Sequence, residues 1–313
     1  MTNPKFVSKV RLASLMAVVV LVISTLSLPV VAGVFEQVNA EAASGRITVH
    51  PLRGGVTELE GSGGNITVLT GSDGKFMVEA GIALSKKPIQ NALDTLGAGS
   101  VKYVVNTHWH WDHSDGDAWL HEAGALVIAT PNTAKHLAQA SRVTNWNHTF
   151  PPVTKDGMPT ILLTAAKTYN FDGDNIVVTP LAPSHTDGDI SVYFTKEDVL
   201  ATGDTFWNGF YPYIDYEHGG KINGTISAVD SYLVNITDHT LIVPGHGAVG
   251  NKAQLKAFRD MLVGIRDRVA MLKAQGKTLD QVVASKPTAP FDAQWGGFIV
   301  KPDLFAKIVY LSL

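Results

Sequence analysis

The run Thr107-His108-Trp109-His110-Trp111-Asp112-His113 places four side chains of metal-ligand type within six positions. It directly follows residues 101–106, a short apolar segment rich in valine that is typical of a buried strand. Open α/β sheets gather their active-site groups in loops at the carboxyl ends of such strands. Because histidine is the commonest metal ligand and unpaired buried histidines are unfavourable, this run predicts a metal site.

The spacing within the run predicts two adjacent groups of ligands. In a loop, His108 and His110 lie two residues apart, so both imidazoles can turn toward one ion. Asp112 and His113 can then reach a second point close by. A coincidental polar loop is the alternative, but it does not explain four such side chains in so short a stretch.

Three single residues farther along the chain extend this pattern, namely His185, Asp204 and His246. Each is predicted to lie at the end of a strand, in a turn marked by glycine or proline within residues 183–189, 203–205 or 244–247. A lone histidine is more often an ordinary core or surface residue, so none of the three is informative by itself. Their shared placement favours a joint role beside the run at 107–113.

The hydrophobic pattern predicts a mixed α/β chain. A glycine-marked turn joins antiparallel strands near the start, and helices then alternate with short apolar strands. The predicted strands are residues 46–50, 65–70, 76–79, 101–106, 125–130, 175–181, 190–194, 198–202 and 241–243. The predicted helices are residues 87–96, 117–123, 133–140, 226–234 and 252–275. No change of composition marks a second domain, so we predict a single domain over residues 41–313.

The first forty residues have the composition of an export signal. Lys5, Lys9 and Arg11 form a positive start, and residues 12–28 are apolar apart from serine and threonine. Cleavage is plausible after Ala32 or Ala40, and we predict the latter, which gives a signal peptide over residues 1–40. The alternative is an uncleaved membrane anchor, since the apolar run is near the lower limit for spanning a bilayer. We therefore predict a periplasmic or secreted protein whose only membrane contact is this segment.

Composition restricts the partners and the chemistry. The 313 residues are 45% hydrophobic and 17% charged, which is enough to bury a large core. The formal net charge is −3, and loss of the signal segment makes the chain more acidic, so nucleic acid is not an expected partner. The sequence has no cysteine, which excludes disulfides, a thiolate ligand and a thiol nucleophile. We expect a small-molecule substrate, and the sequence leaves the oligomeric state open.

The order of these motifs resembles the metallo-β-lactamase superfamily. Its signature is a His-x-His-x-Asp-His run, followed by a separate histidine, an aspartate or cysteine, and a final Gly-His. The matching residues here are the run from His108 to His113, then His185, Asp204 and Gly245-His246. The resemblance covers residues 46–275, and it implies an α/β fold of the αββα sandwich type, with two mixed sheets flanked by helices and the metal site between their inner edges.

The resemblance also implies how the ligands are shared. The implied sets are His108, His110 and His185 for one ion, Asp112, His113 and His246 for the other, and Asp204 as a bridge. Two cations about 3.5–4 Å apart can share a water molecule and lower its pKa toward neutrality, so no side-chain nucleophile is needed. Asp112 has an additional expected catalytic role, in which it orients this water or passes a proton to the leaving group.

Departures from individual subgroups bear on the substrate. The lack of cysteine excludes the β-lactamases with a cysteine ligand, and the β-lactamases with the most similar histidine pattern lack a bridging carboxylate. With its implied bridging aspartate, the chain instead resembles the thioesterases, lactonases, sulfatases and phosphodiesterases of the superfamily. We therefore predict an exported hydrolase with two zinc ions that attacks a small ester, lactone, thioester or amide, although iron or manganese also suits these ligands.

Three alternatives stay open from the sequence. The first is a β-lactamase that acts on β-lactam antibiotics. The second is an iron-dependent oxidoreductase, because persulfide dioxygenases resemble this chain in the same ligand run but use only part of it, at one iron. The third is a non-catalytic metal-binding protein of the cell envelope.

Further predictions concern the surroundings of the metals. We expect Asp187 or Asp189 to accept the second N–H of a ligand histidine, because metal-bound imidazoles usually need such a partner. The histidines outside the motifs, among them His136 and His218, are predicted to lie at the surface. Seven aromatic residues lie near the motifs, and some are expected to wall an apolar substrate pocket while others pack in the core: Trp109, Trp111, Phe206, Trp207, Tyr211, Tyr213 and Tyr216.

Overall fold

The computed structural model describes Met1 and residues 33–313. The chain divides after Ala32 into two units, and the second, Gly33–Leu313, contains the elements described below. Residues 2–32 of the predicted signal peptide lie outside the described residues. Among the described residues, no helix combines the length and the hydrophobicity that a membrane span requires.

Short strands and helices alternate along the second unit, as the hydrophobic pattern predicts. The strands are β1 (Thr48–Pro51), β2 (Val56–Glu60), β3 (Ile66–Gly71), β4 (Gly74–Val78), β5 (Val101–Val105), β6 (Leu126–Ala129), β7 (Ser141–Val143), β8 (His148–Phe150), β9 (Ile161–Leu162), β10 (Lys167–Phe171), β11 (Asp174–Pro180), β12 (Ile190–Phe194), β13 (Val199–Ala201) and β14 (Leu241–Val243). The α-helices are α1 (Val34–Ser44), α2 (Lys86–Thr95), α3 (Trp111–Ser114), α4 (Asp117–Glu122), α5 (Pro131–Leu137), α6 (Ile222–Asn235), α7 (Lys252–Ala274), α8 (Leu279–Ala284), α9 (Asp292–Trp295) and α10 (Pro302–Ser312).

Most strands belong to two mixed sheets. The seven-stranded sheet has the order β1-β2-β3-β4-β5-β6-β9, antiparallel up to β4 and parallel from β4 onward. The five-stranded sheet has the order β10-β11-β12-β13-β14, and only its β13–β14 pair is parallel. Strands β7 and β8 form a separate hairpin.

The alternation of side chains along β4 builds the layers of the fold. Successive strand residues point to opposite faces of a sheet. Phe76 and Val78 pack between the two sheets, whereas Met77 packs on the other face against residues of α2 and α4. On the outer face of the smaller sheet, Leu200 and Ile242 pack against residues of α6, α7 and α10. The predicted αββα sandwich with two mixed sheets is therefore confirmed.

Several elements are absent from the prediction, and β2 shows why. Its sequence Val-Thr-Glu-Leu-Glu contains two glutamates, which are uncommon in strands. Pairing with β1 and β3 nevertheless buries four of its five residues, including Glu58. Neighbouring strands, and not local preference, make this segment a strand. The prediction also omits α1, α3, β7 to β10 and α8 to α10.

Helix α1 includes the predicted cleavage site. It begins at Val34 and ends at Ser44, so Ala40 lies in its second turn. Ala42 is buried in the core, and its carbonyl accepts a hydrogen bond of 3.0 Å from Ser85 Oγ. Cleavage after Ala40, and the domain boundary at residue 41, stay predictions.

Candidate metal centre

All seven predicted ligands converge at one edge of the two sheets. Each lies just after the carboxyl end of a strand, where the loops of neighbouring strands meet. His108 and His110 follow β5, with Asp112 and His113 in the adjoining α3, while His185 follows β11, Asp204 follows β13 and His246 follows β14. The placement inferred from the turns is therefore correct for His185, Asp204 and His246, and the run at 108–113 follows β5 as predicted.

Three histidines and Asp204 form the first group of donor atoms. His110 Nδ1 lies 3.1 Å from His108 Nε2 and 3.0 Å from His185 Nε2. Asp204 Oδ2 lies 3.5 Å from His185 Nε2 and 3.9 Å from His108 Nε2. Donors about 2.0–2.1 Å from a tetrahedral ion would lie roughly 3.4 Å apart. The four atoms are therefore spaced to surround a single cation.

Asp112, His113, His246 and the other oxygen of Asp204 form the second group. Asp112 Oδ2 lies 3.6 Å from His113 Nε2 and 3.4 Å from His246 Nε2. Asp204 Oδ1 lies 3.2 Å from His113 Nε2 and 3.5 Å from His246 Nε2. These separations match those of the first group, so the second group is also spaced for one cation.

Asp204 connects the two groups, because Oδ2 faces the first and Oδ1 faces the second. Burial would raise the pKa of its carboxyl, but His246, His113 and His185 outweigh burial and hold the pKa well below the usual value. The side chain is therefore ionised, as a carboxylate that contacts two cations must be.

Two atoms at the junction of the groups lack an ordinary partner. His113 Nε2 and Asp204 Oδ1 are buried, and neither has a hydrogen-bond partner among the described residues. Buried polar atoms nearly always have a hydrogen-bond partner. Two such atoms that lack partners and face the same point therefore require an explanation. A cation between them satisfies both, and a set of imidazoles and carboxylates fits zinc, iron or manganese.

Burial keeps two of the histidines in the neutral form that binds metals. It lowers the pKa of His108 well below its usual value, and the neighbouring His113 and His185 lower it further. Burial also lowers the pKa of His110 to about 4, although the hydrogen bond to Asp215 opposes this change. Both rings are therefore neutral near pH 7 and have a lone pair for a cation.

Two glycines let the backbone approach the donor atoms. A Cβ on Gly64 would overlap the imidazole of His113, and a Cβ on Gly245 would overlap Asp204 Oδ1. Asn65, next to the first glycine, donates from Nδ2 to the carbonyls of Pro244 and Gly247 at 3.1 and 2.8 Å. The loop after β2 thus holds the loop that contains His246 in place.

The ring nitrogens that face away from the donor groups have partners that were not predicted. His110 Nε2 donates to Asp215 Oδ2 at 2.9 Å, and His185 Nδ1 donates to the Tyr213 carbonyl at 2.7 Å. His113 Nδ1 lies 3.1 Å from Glu79 Oε1, an ion-pair contact that lacks hydrogen-bond geometry. Such outer partners hold the tautomer and the orientation of a metal-binding imidazole.

The prediction that Asp187 or Asp189 fills this role is wrong. Asp189 accepts hydrogen bonds from Ser184 Oγ at 2.6 Å and from the Thr186 hydroxyl at 2.6 Å, and so shapes the turn that presents His185. Asp187 instead accepts from His136 Nε2 at 2.9 Å. Nearness in sequence did not identify the partner, because the turn directs these carboxylates away from the His185 ring.

Two histidines that were predicted at the surface have defined partners. His136 is only 7% exposed, so the surface prediction is wrong for it. His218 Nδ1 donates to Asp215 Oδ2 at 2.7 Å. Burial would raise the pKa of Asp215, but the hydrogen bonds from His110 and His218 lower it below the usual value. Asp215 is thus an ionised carboxylate shared by two imidazoles.

The donor groups open into a cleft of about 680 Å³. Four predicted ligands line it, and its walls are largely apolar. The aromatic lining residues are Trp111, Trp146, Trp207, Phe210 and Phe298. The expected aromatic wall is thus present, with Trp111 and Trp207 in it, while Phe206 and Tyr211 are fully buried core residues. Trp146, Phe210 and Phe298 were not predicted, because they come from segments distant in sequence.

Comparison with known proteins agrees with this geometry. The family model of the metallo-beta-lactamase superfamily matches residues 59–246, a segment that contains all seven converging side chains. A hydroxyacylglutathione hydrolase from Polaromonas sp. is 28% identical over 189 residues, which are 58% of this chain and 64% of that protein. A probable metallo-hydrolase from Methanocaldococcus jannaschii is 26% identical over 196 residues, which are 60% of this chain and 85% of that protein.

Solved structures share the fold at low sequence identity. The sec-alkylsulfatase Pisa1 from Pseudomonas sp. superposes with a TM-score of 0.65 and 16% identity, over 84% of this chain and 50% of that chain. A metallo-beta-lactamase from Pontibacter korlensis superposes with a TM-score of 0.56 and 17% identity, over 70% of this chain and 99% of that one. These similarities concern the fold alone. From the sequence match across the whole donor cluster, we conclude that the chain belongs to the metallo-beta-lactamase superfamily.

Proposed function

We propose that this protein is an exported hydrolase that uses two zinc ions to cleave a small ester, lactone, thioester or amide. The observation that carries the proposal is the position of Asp204, which presents one carboxylate oxygen to each of two groups of donors. Two cations held there would activate a water molecule for attack and polarise the carbonyl oxygen of the substrate. Similarity to a relative named as a hydroxyacylglutathione hydrolase supports hydrolysis.

The side chains of this protein have distinct parts in the proposed reaction. Asp112 lines the cleft, and its Oδ2 lies 3.4 Å from His246 Nε2. From there it can orient the attacking water and pass a proton to the leaving group. Asp215 and the Tyr213 carbonyl hold the rings of His110 and His185, and the apolar walls limit access of bulk water.

Metal analysis combined with a substrate panel tests the proposal. We expect two zinc ions per chain and turnover of one bond class among β-lactams, lactones, thioesters, sulfate esters and phosphodiesters. His185→Ala should bind less metal, and its turnover should fall at least about 100-fold, since the substitution removes one metal ligand of the first group. His239→Ala, at an exposed position, is the matched control and should keep both.

The remaining hypotheses predict different results in the same experiment. One iron per chain with oxygen consumption would favour the oxidoreductase and contradict hydrolysis. Turnover confined to β-lactams would identify a β-lactamase. If Asp112→Asn retains metal but loses turnover, the protein is not purely metal-binding. If neither the natural protein nor any variant turns over a substrate, the result favours a non-catalytic metal-binding protein.

Export is part of the proposal, and it is supported by the composition of residues 1–40 alone. Expression of the full chain in a bacterium, followed by cell fractionation and N-terminal sequencing, tests it. A mature chain in the periplasm that begins shortly after residue 32 or residue 40 is the expected result. An intact N-terminus in the membrane fraction would favour the anchor instead.

A further inference from the structure

Helix α1 forms one wall of the cleft beside the metal-donor residues. Val34, Val38 and Ala42 are spaced four residues apart, so they lie on one face of the helix. All three line the cleft that also contains Asp112 and His246. An N-terminal segment is thus part of the candidate active site.

A second face of α1 holds the helix in position. The ring of Phe35 stacks on His148 with centroids 3.6 Å apart and contacts Trp111 at 5.3 Å. Asn39 Oδ1 accepts a hydrogen bond of 3.3 Å from Trp111 Nε1. Because Trp111 lies between His110 and Asp112 in the sequence, α1 is attached directly to the metal-binding loop.

A second part of the cleft wall is also apolar and comes from other parts of the chain. Phe210 and Phe298 lie 4.7 Å apart between ring centroids, and Ile299 also lines the cleft. The Phe298 ring lies 6.3 Å from that of His246. These side chains, like Val34 and Val38, are only partly buried. Apolar surface in this position is unfavourable in water, and an apolar part of a ligand would cover it.

We propose that the space between α1 and the Phe210–Phe298 pair binds the fatty acyl chain of the substrate. The inference rests on the proposed hydrolase function, because it requires that the acyl carbonyl lie at the donor groups. It also requires that α1 stay on the mature chain, which cleavage after Ala32 allows and cleavage after Ala40 does not. The cleft of about 680 Å³ is within the range of small-molecule sites, and its apolar walls continue to the ligand residues. Val34 and Val38 are therefore specificity-determining residues for chain length.

Binding of two carboxylates to the metal-loaded protein tests the inference without turnover. Each additional buried methylene increases affinity by about fourfold, so sodium octanoate should bind at least ~10-fold more tightly than sodium acetate in isothermal titration calorimetry. Val38→Asp should abolish most of this preference, because a charge then lies in the apolar wall. Val234→Asp is the matched control, since Val234 is 83% exposed on α6. Val34→Asp provides a second variant if Val38→Asp does not fold.

Hydrolysis of two esters distinguishes failure of this inference from failure of the proposed function. We expect the ratio of kcat/KM for p-nitrophenyl octanoate to that for p-nitrophenyl acetate to fall at least ~10-fold in Val38→Asp. Cleavage of the acetate ester without any preference for octanoate, in binding or turnover, would overturn the inference alone. Binding of octanoate that depends on Val38, without cleavage of any ester, would overturn the hydrolase and keep the apolar site.

Discussion

At the scale of single residues, Asp215 has the most specific role outside the donor groups. It lies 105 positions after His110, yet it accepts a hydrogen bond from that ring and a second one from His218. Both bonds end on Oδ2, so the carboxylate joins the metal-binding loop to the segment after β13. This contact orients His110 so that its Nδ1 faces the other donors.

Asp215→Asn is expected to weaken metal binding. An amide does not hold the His110 ring as an ionised carboxylate does, and loss of such an outer partner typically lowers metal affinity by about 10- to 100-fold. Competition with a fluorescent zinc chelator measures the change. Asp187→Asn is the matched control, because that carboxylate binds His136, which is outside the donor groups. Equal affinities in both variants would contradict this role of Asp215.

Glu58 in β2 should make stability depend on pH. Burial raises the pKa of its carboxyl from 4.5 to about 7, against the opposing effect of His50. The folded state thus binds the proton more tightly than the unfolded state, and this stabilisation is lost as the pH rises from 4.5 through about 7. Glu58→Gln has no proton to lose, so above that range it should be more stable than the natural protein by about 2 kcal/mol.

Denaturant unfolding of both proteins at the two ends of this pH range measures the effect. Because both contain the same metal site, their difference isolates Glu58. Glu122→Gln, at an exposed position on α4, serves as the control. A difference between Glu58→Gln and the natural protein that stays constant with pH would refute the assignment.

At the scale of secondary-structure elements, the ends of the strands bring the site together. The loops after β5, β11, β13 and β14 each contribute donors, and these strands belong to both sheets. Helix α1 has a different function, because it contributes no donor and instead covers the cleft and contacts Trp111. Its residues Phe35 and Asn39 lie before the predicted cleavage site at Ala40.

A version of the chain that begins at Glu41 should be less stable than one that begins at Gly33. It lacks the Phe35 ring contacts with Trp111 and His148 and the bond between Asn39 and Trp111. Loss of a packed aromatic side chain and one hydrogen bond lowers the free energy of unfolding by roughly 3 kcal/mol. Denaturant unfolding of the two versions measures this. Equal stabilities would mean that α1 is dispensable for the fold.

At the scale of the whole molecule, the donor groups connect the two sheets. His108, His110, Asp112 and His113 extend from the seven-stranded sheet, whereas the loops with His185, Asp204 and His246 extend from the five-stranded sheet. Bound cations would therefore cross-link the two layers. They would also neutralise the buried carboxylates of Asp112 and Asp204, which both lie within 3.6 Å of His113 Nε2.

Removal of the metal should lower the stability of the entire domain. A ligand that binds only the folded state stabilises it by about 4 kcal/mol at a thousandfold excess over its Kd. We expect EDTA to lower the Tm in scanning calorimetry, and added zinc to restore it. EDTA that is already saturated with zinc is the control. An unchanged Tm after complete loss of metal would show that the donors do not cross-link the sheets.

The identity of the seven converging residues and the class of the fold could both be predicted from the sequence. His108 to His113 lie within six consecutive positions, and glycine or proline turns mark the strand ends at His185, Asp204 and His246, so both signals are local. Alternation of apolar residues likewise reports which face of a strand is buried. These features depend on short-range geometry, which a single sequence contains.

The surroundings of those residues could not be predicted from the sequence, because they depend on tertiary contacts. Asp215, Glu79 and the Tyr213 carbonyl meet the ligand rings across long stretches of sequence, and no spacing rule connects them. The walls from α1, Trp146, Phe210 and Phe298 are assembled in the same way, and β2 is a strand because its neighbours pair with it. Contacts between distant segments depend on how the layers pack, and packing is a property of the whole chain rather than of any local pattern.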